Sequence, residues 1–192
     1  MTAPIKSNSG NIISSIGWLI PQILAIIAVF LPIFNGSPHK SIIFMMFSAI
    51  LIGLGIISSW QSKYKTHENS LLCNMFYLLD ESGPDCPSKN SLFVSFTCLY
   101  LISPMILYNT YNYSALCAIL LFLFIHIYYQ VNSGCSSAQC YLPALIGGGF
   151  IGYISVYFIA RANYEEFLYF NELANNKVVC NKTLARTHNC KT

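Results

Sequence analysis

The chain has 192 residues, of which 55% are hydrophobic and only 9% charged, and its ten Lys+Arg against seven Asp+Glu give a formal charge of +3. An average soluble domain carries roughly 25% charged residues, so this composition excludes a water-soluble globule. The basic excess is slight and scattered, which excludes the clustered basic face of a nucleic-acid-binding protein.

The N-terminus, Met1 to Asn11, holds one charge, Lys6, and leads into an uncharged run of 23 residues, Ile12 to Phe34. A cleaved secretory signal has an apolar region of about 7 to 15 residues followed by a small-residue cleavage site. This run is longer and lacks such a site, so it reads as a retained first span. About 20 apolar residues cross a hydrocarbon core of roughly 30 Å. Four further runs reach that scale without Lys, Arg, Asp or Glu: Ser41 to Trp60, Leu92 to Tyr108, Ser114 to Val131 and Tyr141 to Ala160. Backbone groups in lipid have no water to satisfy them, so each run should be a helix. The period-two alternation of a membrane barrel is missing from them. The expected fold is an all-α, integral membrane bundle of about five transmembrane helices over residues 1–160, with a polar C-terminal tail over 161–192.

Asn35-Gly36-Ser37-Pro38 is a tight turn between the first two runs, and Asn109 to Tyr113 joins the third and fourth, which predicts two antiparallel hairpins. Between them, residues 61–90 form an extramembrane loop with Lys63, Lys65, Glu68, Asp80, Glu81, Asp85 and Lys89 around an apolar stretch, Leu71 to Leu79, fit to lie in the interface. Five spans place Lys6, Lys63, Lys65 and Lys89 on one side and Lys40, Arg161, Lys177, Lys182, Arg186 and Lys191 on the other. By the positive-inside rule this six-to-four bias favours a cytoplasmic tail.

An ionisable group inside a span usually marks a transport path. His126 is the one such residue, and near a span end it reads first as a hydrogen-bonding neighbour of another helix. Pro21 and Pro104 sit away from span ends, where kinks open cavities. Gly148 and Gly152 have the small-xxx-small spacing that lets helices approach closely, within the bundle or with another chain in a homo- or hetero-oligomer.

Cys98 and Cys117 lie in spans; the other six cysteines form close sequence pairs, Cys73 with Cys86, Cys135 with Cys140 and Cys180 with Cys190. The first two pairs share one side and read as structural disulfides of an oxidising compartment; the third faces the other way, so that either it is reduced or metal-bound, the topology is different, or the protein matures where cytosolic disulfides are made enzymatically. Zinc needs four ligands, and Cys180, His188 and Cys190 supply three, so no metal is expected. Asn35, Asn112 and Asn181 begin Asn-x-Ser/Thr triplets, but Pro38 follows the first, the second lies in a short loop near the bilayer, and the third is accessible only on a lumenal tail. Phosphate loop, nucleophile elbow and His-Glu-x-x-His motif are all lacking. The expectation is a non-enzyme without cofactor.

The tail reads Lys177-Val178-Val179-Cys180-Asn181-Lys182-Thr183, then on to Thr187-His188-Asn189-Cys190-Lys191. This ending, with Val179, Cys180, Lys182, Thr187 and Cys190, resembles the closing motif of small multi-span membrane proteins of large nucleocytoplasmic DNA viruses, the chlorella-virus group among them. Tyr128-Tyr129-Gln130-Val131, Cys135 and the glycine-rich last span extend the resemblance over about the last 65 residues. His188-Asn189 departs from it, standing where the family pattern has an aromatic and a basic residue. The resemblance implies a structural protein of the virion's internal membrane, derived from host endoplasmic reticulum and lying beneath the capsid. Capsid or minor capsid proteins would be its partners beside the lipid, and Lys177, Lys182 and Arg186 the basic residues of a partner-binding tail. Such viruses often carry a sulfhydryl oxidase, which would allow disulfides on both sides of the membrane. The rival reading is a small channel, transporter or entry component using His126, the two prolines and a thin supply of hydroxyls: Ser14, Ser15, Ser48, Ser95, Thr97 and Ser103.

Overall fold

The computed structural model describes residues 9–61, 88–132 and 138–169. Its helices are α1 (Ser9–Phe34), α2 (Pro38–Gln61), α3 (Lys89–Leu107), α4 (Tyr113–Asn132) and α5 (Ala138–Arg161), with one 3₁₀ turn at Glu165–Phe167. Among the described residues there is no strand. Four helices are long and apolar enough to cross a membrane, over Pro38–Ile57, Lys89–Leu107, Tyr113–Asn132 and Gln139–Arg161, and α1 contributes a shorter apolar stretch, Leu19–Phe34. The chain is an all-helical membrane protein.

Every helix starts before its uncharged run, and in α3 and α4 a polar side chain outside the run satisfies one of the first N–H groups. Ser88 Oγ accepts from the Ser91 N–H at 3.4 Å, and Asn112 Oδ1 accepts from the Ala115 N–H at 3.2 Å. The asparagine of the second Asn-x-Ser triplet is thus the cap of α4. Pro38, expected in the turn, is instead the first residue of α2, where its missing N–H costs nothing. The loop boundary shifts accordingly. Gln61 belongs to α2, and Lys89 and Asn90 belong to α3, each only 3% exposed. The remainder of that loop, with Leu71 to Leu79, lies outside the described residues.

The ends of α1, α3 and α5 close in the same way. Gly36, Asn109 and Asn163 take positive φ of 74°, 52° and 59°. Beside each, a pair of hydrogen bonds ties the chain back to the last turn: Ser37 N to Pro32 O and Gly36 N to Ile33 O, Thr110 N to Met105 O and Asn109 N to Ile106 O, Tyr164 N to Ile159 O and Asn163 N to Ala160 O. These are Schellman closures, in which glycine or asparagine tolerates the left-handed residue. All three lie at one end of the bundle, where the α1–α2 and α3–α4 hairpins turn and the tail departs.

The centre is α3, buried along nearly its whole length and packed by the other four helices. Its main partner, α5, runs parallel to it: the Ser88 N–H donates to the Cys140 carbonyl at 3.3 Å, and Gly148 and then Gly152 follow opposite Leu92 and Phe96. A Cβ at Gly148 would stand 2.2 Å from the Leu92 carbonyl oxygen, and one at Gly152 2.6 Å from that of Phe96. The two glycines therefore seat α5 against α3 main chain, inside this bundle. Rings fill the other side of α3, where Phe44 of α2 meets Phe93, Phe96, Tyr100 and Tyr169 at centroid distances of 5.5 to 6.4 Å. Outward faces are apolar, with Ile42, Met46, Ile50, Leu54 and Ile57 forming an exposed stripe on α2, as lipid contact requires.

Candidate functional site

In an α-helix the carbonyl of residue i accepts from the N–H of residue i+4, and proline has no N–H. Pro21 and Pro32 both lie inside α1. Each deprives the carbonyl four residues earlier of its helical donor: Gly17 for Pro21, Ala28 for Pro32. An unsatisfied carbonyl away from water costs about 1–3 kcal/mol, and both of these carbonyls meet polar side chains from distant parts of the chain.

At Ala28 the partner is Tyr169, whose hydroxyl donates to the carbonyl at 2.5 Å across 141 residues of sequence. Leu168 and Tyr169 are both fully buried. The tail, expected to leave the bundle at residue 161, is therefore packed into it through Tyr169. The neighbouring turn is held as well: the His39 ring of α2 meets the Phe167 ring edge-on at 5.3 Å, and its Nε2 lies 3.3 Å from the Glu166 carbonyl.

At Gly17 the partners come from α4. A Cβ at position 17 would stand 2.3 Å from the Cβ of Tyr129, so only glycine lets the two helices approach this closely. One turn before Tyr129, the His126 ring has the Gly17 main chain as a hydrogen-bonding neighbour. His126 Nε2 faces Ser91 Oγ of α3 at 3.4 Å. The histidine thus sits where α1, α3 and α4 meet, 1% exposed. Nδ1 of His126 has no hydrogen-bond partner among the described residues. Gln130, one turn beyond on the same face of α4 and also 1% exposed, likewise has no partner for its Nε2.

A serine beside a histidine is the core of many nucleophilic sites. Here both side chains are sealed from solvent, and the carboxylate among the described side chains, Glu166, lies at the opposite end of the bundle. Nor do three His, Cys, Asp or Glu side chains come together among the described residues. What the Ser91–His126 arrangement does is bind helices to one another.

The hydroxyls that could have lined a path serve their own helices. Ser48 donates to the Met45 carbonyl, Thr97 to that of Phe93 and Ser103 to that of Leu99, at 2.9, 2.9 and 2.5 Å. Ser95 donates to the Leu92 carbonyl at 3.1 Å and reaches that of Ala144 on α5 at 3.3 Å. All four residues are buried. The side chains of Ser14 and Ser15 lie outside those described.

Of the six cysteines expected to pair, Cys140 is among the described residues. It is buried on the first turn of α5. Cys73, Cys86, Cys135, Cys180 and Cys190 lie outside the described residues, as do Lys177, Lys182, Arg186 and Asn181. Cys98 and Cys117 carry free thiols. Sequence reasoning singled out His126, Pro21, Gly148 and Gly152, but missed Ser91, Gln130, Pro32 and Tyr169. The signal for the last two was the pairing of an intrahelical proline with a tyrosine in an apolar segment. No protein-family model matches the chain, and no curated protein or solved structure matches it.

Proposed function

We propose that the chain is a structural protein of a virion's internal membrane that ties the bilayer to the capsid shell, with the basic tail carrying Lys177, Lys182 and Arg186 as the partner-binding element. The observation that carries this reading is the fastening of the tail's root. Tyr169 is hydrogen-bonded to α1 and packed edge-on against Tyr100 of α3, so a pull on the tail is delivered to the bundle and not to a free linker. The spans support the same reading, since the hydroxyls of Ser48, Ser95, Thr97 and Ser103 are spent on helix carbonyls. Disulfides in the Cys135–Cys140 segment and in the Cys180–Cys190 tail would stiffen the polar appendages on which shell proteins bear.

Non-ionic detergent stripping of purified particles, followed by cross-linking, tests the proposal. The chain stays with the protein shell, and Lys177 or Lys182 cross-links to a shell protein. Loss of the chain with the lipid overturns the anchor, as does ion flux in proteoliposomes that His126→Ala abolishes.

A further inference from the structure

We propose that the collar of exposed aromatic side chains at the turn end of the bundle is a binding surface for phosphoglyceride headgroups, seated at the level of their glycerol and ester groups. Phe34 closes α1, Tyr111 precedes α4 and Tyr113 begins it, Tyr157 and Phe158 lie near the end of α5, and Tyr164 follows it, each between 43% and 82% exposed. Neighbours on one element pair up: Tyr111 stacks on Tyr113 at a centroid distance of 6.3 Å, and Tyr157 meets Phe158 at 6.2 Å. The surface changes character across these rings. Toward the middle of the bundle stand the exposed Ile26, Leu121 and Phe124. Beside and beyond the rings stand the exposed Asn35, Asn109, Arg161 and Asn163.

One occupant fits the collar. Its rings belong to α1, α4 and α5; α1 and α4 pack against each other, whereas α5 reaches the bundle through α3, so the rings lie on separate faces. A second copy or a shell protein would cover one face, and only the edge of a bilayer meets all of them at one level. Water is a poor match for Phe34, which is 82% exposed and has no polar atom on its ring. Hydrocarbon is a poor match for Arg161 and the asparagines. The border between the two accommodates both. A tyrosine there lays its ring among the upper acyl carbons and gives its hydroxyl to ester or phosphate oxygens, and the Arg161 guanidinium meets the phosphate. The collar also continues the lipid-facing surface of the spans. On α4 the other edge of that surface is marked by Tyr128, 47% exposed, whose hydroxyl accepts from Asn132 Nδ2 at 2.9 Å.

Fluorescence quenching of the full chain in phosphatidylcholine vesicles, with bromine carried at either of two depths on the acyl chain, tests this. Phe34→Trp, Tyr113→Trp and Tyr164→Trp each place a fluorophore in the collar, and Phe124→Trp places one at mid-span. All four positions are exposed, so no interior contact is lost. Each variant is read as its difference from the parent chain, whose own tryptophans are Trp18 and Trp60. Bromine next to the ester end should quench the three collar positions severalfold more than bromine near the chain terminus, and Phe124→Trp should show the reverse order. A collar position that neither lipid quenches is covered by water or by another copy, and one quenched best from the chain terminus lies deep in hydrocarbon. Either result at any of the three overturns the proposal.

Discussion

The bundle is held by two kinds of seam. Between α3 and α5, side chains are removed so that main chains touch: Gly148 and Gly152 bring α5 onto α3 carbonyls. Around α1 the logic is reversed, because prolines free two carbonyls and polar side chains from elsewhere come to meet them. In lipid, association has little hydrophobic driving force, so close packing and interhelical hydrogen bonds must supply it. The glycine seam draws on the first and the proline seam on the second. The glycine seam tolerates no added atom. The proline seam tolerates change provided the carbonyl finds another donor.

The comparison is broken most severely at Gly148→Ala. The added Cβ meets a backbone oxygen at 2.2 Å, which no rotamer change relieves, so a loss of about 3 kcal/mol or more is expected in denaturant unfolding from mixed micelles. Gly17→Ala comes next, at about 1–3 kcal/mol by the same measurement, since Tyr129 Cβ lies on a helix that can shift slightly. Tyr169→Phe should cost about 1–2 kcal/mol by leaving the Ala28 carbonyl unpaired. It should cost much less in a Pro32→Ala background, where the helix supplies the missing N–H. Equal costs in the two backgrounds would show that the Tyr169 hydroxyl does not act through the Ala28 carbonyl. Gly53→Ala marks the lower limit: with no neighbour within 4 Å of its Cβ position, it should be neutral or stabilise by up to about 1 kcal/mol.

The spans were legible because an uncharged run of the right length has few alternatives in lipid, and the glycine seam because small residues at i and i+4 share a helix face. Sequence could not say which helix α5 would meet, since that depends on α3 reaching the centre of the bundle. Proline was read as a source of kinks, whereas its consequence here is an acceptor four residues upstream. That acceptor is visible in the sequence at Gly17 and Ala28, but its partners lie more than a hundred residues away. His126 was read correctly as a hydrogen-bonding neighbour of another helix. Its companions Ser91 and Gln130 look like ordinary polar residues near span ends and carry no periodic signal.

The bond from Tyr169 to Ala28 also sets an order of events. The first helix is synthesised with two carbonyls open, and the second of these closes only after residue 169 has been made, 141 residues later. At about 5–20 residues per second, that is a wait on the order of ten seconds. During that interval α1 stands in the membrane with an unmet acceptor. The last helix and the turn beyond it act as a latch on the first, and a chain released before Tyr169 would leave that latch open.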